Sequence, residues 1–314
     1  MVCGPHAQTA EENRQEGTVS SIYVIIKGKS ACIVDTGRHD ACYAVLAAAL
    51  RAHHVKPRYI VLTHDHYDHV GNAHRLREEF GGLVVAHALD RPLLETPLIL
   101  FDPDAMGRAY GCSMQDAWLD LGFTDETIRN MRGAMERFFT VPVNADLFIS
   151  EDVSLDLDGL ELRLLHTPGH SPGSLSVHVP ASGSVYTGDL TFWVNPCRPY
   201  PIGNAEHCLA SLRRIRDLEP SYCGHGHYLG ISDAAIWLDQ IIGRHLHLEM
   251  SILSLLDTSR TISDLRRRIF PEDPFDSFSP IPENSIQAWM VALMQRGKIV
   301  RYAHGNSVVW QKTL

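Results

Sequence analysis

Residues 63–71 read THDHYDHVG and follow an apolar run, so several side chains of metal-ligand type stand at the end of a predicted buried strand. Side chains alternate along a strand, which places His64 and His66 on one side, and the following turn can fold Asp68 and His69 back beside them. Imidazoles and carboxylates bind zinc and similar divalent ions, and clustering them without a cation would cost desolvation free energy. The stretch therefore predicts a metal site.

Further ligand-type residues stand in turns that follow other predicted strands. His170 lies in HTPGHSPGS, Asp189 ends VYTGD, and His225 lies in CGHGH. Proline and glycine in these motifs force tight turns and allow the backbone to approach a ligand closely. His227 is the alternative to His225 as the last ligand.

The order of strand and helix patterns predicts a mixed α and β domain over residues 18–238, preceded by a short N-terminal tail at 1–17. Residues of about 90–140 have little β pattern and read as a helical insertion, with helices over Met114–Leu121 and Asp125–Phe139. The alternation of short strands resumes after the insertion.

Residues 239–314 have a different pattern and are predicted to form a separate small domain. Helical stretches lead into Gly297, and two short strands follow around His304-Gly305-Asn306. This order of elements predicts a winged-helix-like module. The module could serve as a dimer surface or as a wall of the substrate pocket.

Five motifs in order give the chain its resemblance to the metallo-β-lactamase superfamily. They are VDTG with Asp35, HDHYDH at 64–69, TPGHS with His170, TGD with Asp189, and GHG with His225. The resemblance implies an αββα sandwich, in which two packed sheets carry helices on their outer faces and metal ions at one edge.

The resemblance also implies a role for each motif residue. One metal ion would bind to His64, His66 and His170, a second to Asp68, His69 and His225, and Asp189 would bridge both. Asp35 would orient the ligand loops, although a turn or helix-cap role is the alternative for this residue. The implied cofactors are two divalent ions, Zn²⁺ in first place, with Fe or Mn as alternatives.

Two such ions lower the pKa of a shared water, and the resulting hydroxide attacks a carbonyl carbon or a phosphorus atom. Asp68 could transfer a proton to the leaving group. The layout resembles glyoxalase II and related hydrolases, which implies a small thioester, ester or lactone as substrate. The alternatives are a phosphodiesterase or ribonuclease of the same fold, a persulfide dioxygenase with one iron, and a regulatory or binding protein without catalysis.

Two segments are candidates for substrate selection. The insertion is rich in methionine and aromatic residues, which could form a lid or a local core. The loop after Asp189 contains Trp193, Arg198 and Tyr200, of which Arg198 could bind a carboxylate or phosphate, or form a surface salt bridge.

Charge and hydropathy limit which classes of partner and which cellular location we expect for this protein. The net charge is −9 and the pI about 6.0, which gives no overall attraction to nucleic acid. The first residues lack a signal-peptide pattern, and no segment reaches the ~18 consecutive apolar residues of a membrane span. The seven cysteines are scattered and are expected to be reduced. We therefore expect a cytoplasmic protein with a small-molecule substrate, as a monomer or a homodimer.

Overall fold

Two six-stranded sheets form the centre of the protein in the computed structural model. The structure describes residues 2–3, 20–111, 114–138, 142–191, 203–227, 230–271, 281–304 and 307–313. The first sheet has the spatial order β1 (Val2–Cys3), β2 (Tyr23–Lys27), β3 (Ser30–Val34), β4 (Lys56–Val61), β5 (Leu83–His87) and β6 (Leu147–Ile149). Strands β3 to β6 run parallel, so their carboxyl ends meet at one edge.

The second sheet is largely antiparallel. Its strands in chain order are β7 (Val153–Leu157), β8 (Leu160–His166), β9 (Leu175–Val179), β10 (Ser184–Tyr186), β11 (Tyr222–Gly224) and β12 (Ile231–Ser232). They also lie side by side in this order. Only the pair β10 and β11 is parallel among the strands of this sheet that the structure describes. The loops after β8, β10 and β11 carry the predicted ligands.

The helices, in chain order, are α1 (Asp40–Ala52), α2 (Tyr67–Val70), α3 (Ala73–Phe80), α4 (Arg91–Glu95), α5 (Pro103–Tyr110), α6 (Met114–Asp120), α7 (Asp125–Phe138), α8 (Ala205–Arg216), α9 (Ala234–Leu255), α10 (Ile262–Ile269) and α11 (Ile281–Gln295). Helix α1 buries Tyr43, Leu46, Ala47 and Leu50, which share one helical face and pack on the first sheet.

Apolar side chains fill the space between the sheets, including Val34 and Val61 from one sheet and Leu164 and Val177 from the other. Helices α8 and α9 cover the outer face of the second sheet. The predicted αββα sandwich is therefore confirmed.

The helical insertion is also present, and it contains α4 to α7 and a 3-10 segment at Pro97–Phe101. Met106, Met114 and Trp118 are buried against one another and against leucines of the same segment. Met106, Met114 and Trp118 thus belong to a local core, while the lid role of the insertion stays a prediction. The sequence predicted α6 and α7 but missed α4 and α5.

The C-terminal region consists of helices followed by the hairpin of β13 (Ile299–His304) and β14 (Ser307–Lys312). This order matches the sequence prediction, while the winged-helix assignment and the domain boundary stay predictions. The boundary at 238 falls inside helix α9. Apolar residues of α8 to α11 and β14 also belong to one continuous cluster.

Two further findings concern the whole chain. None of the described helices combines the length and apolar character that a membrane span needs. Cys208 is disulfide-bonded, so the expectation of reduced thiols is wrong for this residue, whereas Cys32 and Cys223 are free thiols.

Candidate metal centre

Two groups of ligand-type side chains lie at the edge where the strand ends of both sheets meet. Within each group, one candidate ligand atom per residue lies within 4.8 Å of the others. The first group consists of His64, His66, His170 and Asp189, and the second group of Asp68, His69 and His227. Loops that are more than 100 residues apart in sequence thus bring their donors together, as the motifs predicted.

Asp189 lies between the two groups. Its Oδ2 is 3.5 Å from His170 Nε2 in the first group and 3.0 Å from His227 Nε2 in the second. Its Oδ1 is 3.3 Å from His69 Nε2. A carboxylate with oxygens directed at both groups has the placement that a bridging ligand requires.

The structure places His227, rather than the preferred His225, in the second group. His227 Nε2 lies 3.4 Å from His69 Nε2 and 3.7 Å from Asp68 Oδ2. His225 is fully buried, its ring stacks on Trp237 with a 5.3 Å centroid distance, and its carbonyl accepts a hydrogen bond from Tyr23. The two histidines in GHGH therefore face different surroundings.

Gly226 explains why the chain can turn so tightly between these histidines. A Cβ at this position would lie 1.8 Å from Asp189 Oδ1 and 3.0 Å from His69 Cε1. Any side chain would therefore displace Asp189 or the loop itself, so this glycine is required by close approach.

Asp35 contacts His69 directly and His64 through Thr63. It adopts a left-handed backbone conformation (φ 61°), and its Oδ1 accepts a hydrogen bond from Thr63 N at 2.8 Å. Its Oδ2 accepts from Thr63 Oγ1 and lies 2.8 Å from His69 Nδ1. Because Thr63 donates to Asp35, its oxygen can accept the proton of His64 Nδ1, at 3.0 Å. This network assigns the protons to Nδ1 and directs both Nε2 atoms at the two groups.

The protonation states of the first group suit a metal ion. Burial and the neighbouring histidines hold the pKa of His64 well below its usual range, and burial and His170 lower the pKa of His66 to about 3. Among the described residues, His64 Nε2 has no hydrogen-bond partner although it is buried. Neutral imidazoles with an open Nε2 are the form that binds a cation.

The carboxylates show that positive charge is required here. Burial alone would raise the pKa of Asp189, but His227, His69 and His170 outweigh it and hold the pKa well below its usual range. Conversely, burial lowers the pKa of His69, yet Asp189, Asp35 and Asp68 outweigh it and raise this pKa well above normal. A divalent ion supplies the charge that a proton on His69 supplies otherwise. The donor set therefore fits a metal centre.

The site residues predicted from the sequence differ from those seen in the structure in two respects. The predicted substrate residues Trp193, Arg198 and Tyr200 lie outside the described residues. Thr63 was not singled out from the sequence, although its position directly before HDHYDH and at the end of a strand is a signal that could have identified it.

Comparison with known proteins identifies the family. The profile of the metallo-beta-lactamase superfamily matches residues 16–227, so the chain belongs to this superfamily. A metallo-beta-lactamase family protein from Thermus thermophilus has a similar fold, with a TM-score of 0.72, 23% identity and 94% of each chain covered.

Two proteins are similar to this chain in sequence. An uncharacterised protein of Mycobacterium tuberculosis is 28% identical over 170 residues, which cover 52% of this chain and 64% of that protein. The hydroxyacylglutathione hydrolase GloC of Haemophilus influenzae is 27% identical over 209 residues, which cover 65% of this chain and 83% of that protein. The chain thus spans less than two thirds of the mycobacterial relative.

Proposed function

We propose that this protein is a dinuclear metal-dependent hydrolase that acts on a small thioester, ester or lactone. The observation that carries the proposal is the position of Asp189 between two adjacent groups of donors, with oxygens 3.5 Å, 3.3 Å and 3.0 Å from His170, His69 and His227. One group alone would suffice for a single ion. Two groups that share a carboxylate support two ions.

The first ion would be held by His64, His66 and His170, the second by Asp68, His69 and His227, with Asp189 as the shared ligand. Bound divalent ions would supply an activated water and polarise the bond to be cleaved. Zn²⁺ is the proposed ion because imidazole and carboxylate ligands suit it, and Fe or Mn remain alternatives that the same donors would accept.

Asp68 is the proposed proton carrier. Burial opposes its ionisation, but His69 and His227 outweigh burial and lower the pKa of this carboxyl group. An ionised carboxylate beside the attacked bond can accept the proton of the attacking water and return it to the leaving group. No serine or cysteine nucleophile is needed.

The similarity to GloC, whose name describes hydroxyacylglutathione hydrolysis, supports a thioester as the substrate class. The proposed partner is accordingly a small molecule.

Metal analysis and a substrate panel test the proposal. Metal-free protein should bind two zinc ions per chain in calorimetry, and the zinc-loaded protein should hydrolyse acyl-thioesters, esters or lactones. His66→Ala should abolish hydrolysis, because it removes one ligand from the first group. Activity that survives both chelation and His66→Ala would refute the proposal.

The same panel separates the rival functions. Cleavage of phosphodiesters with no thioester hydrolysis would indicate the phosphodiesterase, and one iron per chain with oxygen consumption on a persulfide would indicate the dioxygenase. A protein that binds metal but turns over no member of the panel would favour the regulatory or binding role.

A further inference from the structure

Asp90 has a buried carboxyl group. Its position directly before a helix would suggest a capping role, but its hydrogen bonds are made with another loop. It precedes helix α4 at the N-cap position, yet its side chain forms no capping hydrogen bond to that helix. Only 1% of the residue is exposed. A buried carboxyl group requires hydrogen-bond partners, and the neighbours of Asp90 lie in two other loops.

The first of these loops carries the metal ligand His170. Asp90 Oδ2 accepts a hydrogen bond from Ser171 Oγ at 2.9 Å, and Oδ1 accepts from Gly173 N at 2.7 Å. Ser174 Oγ accepts from Ser171 N at 2.9 Å, which closes the turn. The carboxylate thus holds the residues that directly follow His170.

Gly173 shows how closely Asp90 approaches this loop. A Cβ at Gly173 would lie 2.4 Å from Asp90 Oδ1 and 2.9 Å from the Asp90 backbone nitrogen. Both contacts are shorter than packing allows, and the second involves backbone that cannot move independently. Loop and carboxylate therefore have one fixed relative position.

The second loop carries His64 and His66. Asp65, the residue between them, is also buried, and its backbone lies close enough to Asp90 to lower the pKa of that carboxyl group, although burial outweighs this effect and raises the pKa to about 7. Asp90 is therefore hydrogen-bonded to one of the two loops that supply three histidines of the first group and lies beside the other. The rings they carry are in close contact, with His170 Nε2 3.2 Å from His66 Nδ1.

We propose that Asp90 is a positioning residue that holds the His170 loop against the His64–His66 loop and thereby sets the metal affinity of the first group. The inference rests on the proposed two-metal function. Hydrogen bonds that orient ligand loops typically contribute about 10–100-fold to metal affinity. The second group has no comparable contact with Asp90 among the described residues, so the effect is selective for one of the two ions.

Zinc titration of metal-free protein tests this inference without using activity. Asp90→Asn keeps the shape of the side chain but replaces one acceptor oxygen with an amide group that can only donate. We expect one of the two binding steps to weaken about 10-fold or more, and the other to change less than about 3-fold. Ser171→Ala should weaken the same step by a smaller factor. Titration with Co²⁺ should show a changed visible absorption for the same step only.

Asp102→Asn is the matched control, because Asp102 lies in the same insertion and caps helix α5 through Ala105 N. It should leave both zinc affinities unchanged. Both steps within about 3-fold of wild type in Asp90→Asn, or an equal loss in both steps, would overturn the inference. If Asp90→Asn does not fold, Ser171→Ala is the deciding variant. A loss of more than about 3-fold in one binding step only would support the inference, and both steps within about 3-fold of wild type, or an equal loss in both, would overturn it.

The wild type separates the two proposals. If it binds two ions and Asp90→Asn also binds them normally, the inference fails and the proposed function stands. If the wild type binds only one ion, the two-metal function fails, and the inference is then judged by whether Asp90→Asn weakens that ion.

Discussion

At the scale of single residues, Asp35 is a residue with an unfavourable backbone conformation at the candidate metal centre. Its left-handed conformation (φ 61°) is one that non-glycine residues rarely adopt, with aspartate and asparagine among the exceptions. In this conformation the carboxylate contacts Thr63 and His69. Hydrogen bonds to both partners offset the backbone cost.

Asp35→Asn isolates the carboxylate, because asparagine tolerates the same backbone conformation. We expect zinc affinity to fall about 10–100-fold, since His69 Nδ1 and Thr63 lose a charged acceptor. Asp158→Asn is the control, because Asp158 is also left-handed (φ 51°) but lies in an exposed turn. Competition with a chromophoric chelator measures both variants, and equal affinities would contradict the role of Asp35.

The histidines of GHGH give a second residue-scale prediction. His227→Ala should reduce zinc binding from two ions to one, because the second group loses a ligand. His225→Ala should retain two ions but lower the free energy of unfolding by about 1–3 kcal/mol, because its ring packs on Trp237. Calorimetric titration and urea unfolding distinguish the two, and the opposite pattern would return the ligand role to His225.

These histidines also show which part of the candidate site cannot be predicted from the sequence. The spacing in HDHYDH alone places several donors together, because strand alternation and the following helical turn leave little freedom. In GHGH each histidine directly follows a glycine, so no local rule decides which one faces the other donors. The contacts of Asp90 could not be predicted for a related reason, because an aspartate directly before a helix is ordinarily an N-cap residue.

At the scale of elements, the insertion was predictable only in part. The sequence identified α6 and α7, since α7 has a helical apolar pattern and Thr124 caps it through Thr127 N. Helices α4 and α5 are short and have proline in the first turn, so they lack the repeated apolar spacing that identifies a helix from sequence. Their packing around Met106 and Trp118 is a tertiary property.

The insertion is joined to the C-terminal hairpin by a partly buried ion pair. Arg301 Nε lies 2.8 Å from Asp120 Oδ1, and the Asp120 side chain is 6% exposed. Arg301→Ala removes a charged hydrogen-bond donor from this buried carboxylate, so we expect a loss of about 1–3 kcal/mol in the free energy of unfolding.

Arg267→Ala removes an exposed pair with Asp264, whose side chains are 68% and 38% exposed, and should cost at most about 1 kcal/mol. Urea unfolding measures both variants. Equal losses would show that the contact between insertion and hairpin contributes no more than a surface pair.

Helix α9 carries a pH-dependent element. Burial lowers the pKa of His245 to about 4, and its ring lies near Trp289 of α11 and Cys208 of α8. In the unfolded chain the same side chain has a pKa of about 6.5. The folded state thus binds fewer protons, and stability from this group is complete above about pH 6.5 and is lost as the pH falls towards 4.

His245→Leu should therefore lose less stability on acidification than the wild type does. Between pH 8 and pH 5 we expect the difference to be about 2 kcal/mol, since each unit of pKa shift corresponds to about 1.4 kcal/mol. His247→Gln, on the exposed side of the same helix, is the control for replacing a histidine in α9. Urea unfolding at several pH values tests this, and identical slopes for all three proteins would refute the assignment.

At the scale of the whole molecule, the C-terminal region and the sandwich share one apolar interior. Leu212 of α8, Ile241 of α9 and Leu265 of α10 belong to the same buried cluster as Trp289 and Trp310. The change of sequence pattern at residue 238 predicted a boundary, but the apolar face of α9 continues across it. A change in sequence pattern can be detected from the residues alone. Whether helix α9 continues across that change depends on the side chains against which its apolar face packs.

Removal of residues 239–314 should therefore damage the sandwich itself. The truncation would expose Leu212 and Ile215, and each apolar side chain uncovered costs about 1.5–3 kcal/mol. Because natural domains have only about 5–15 kcal/mol of stability, we expect a chain that binds an apolar dye strongly and unfolds without a cooperative transition. The intact chain should unfold in one transition by tryptophan fluorescence and circular dichroism, whereas an independent tail would give two. A truncated chain that unfolds cooperatively and still binds two zinc ions would show that the shared interior is dispensable.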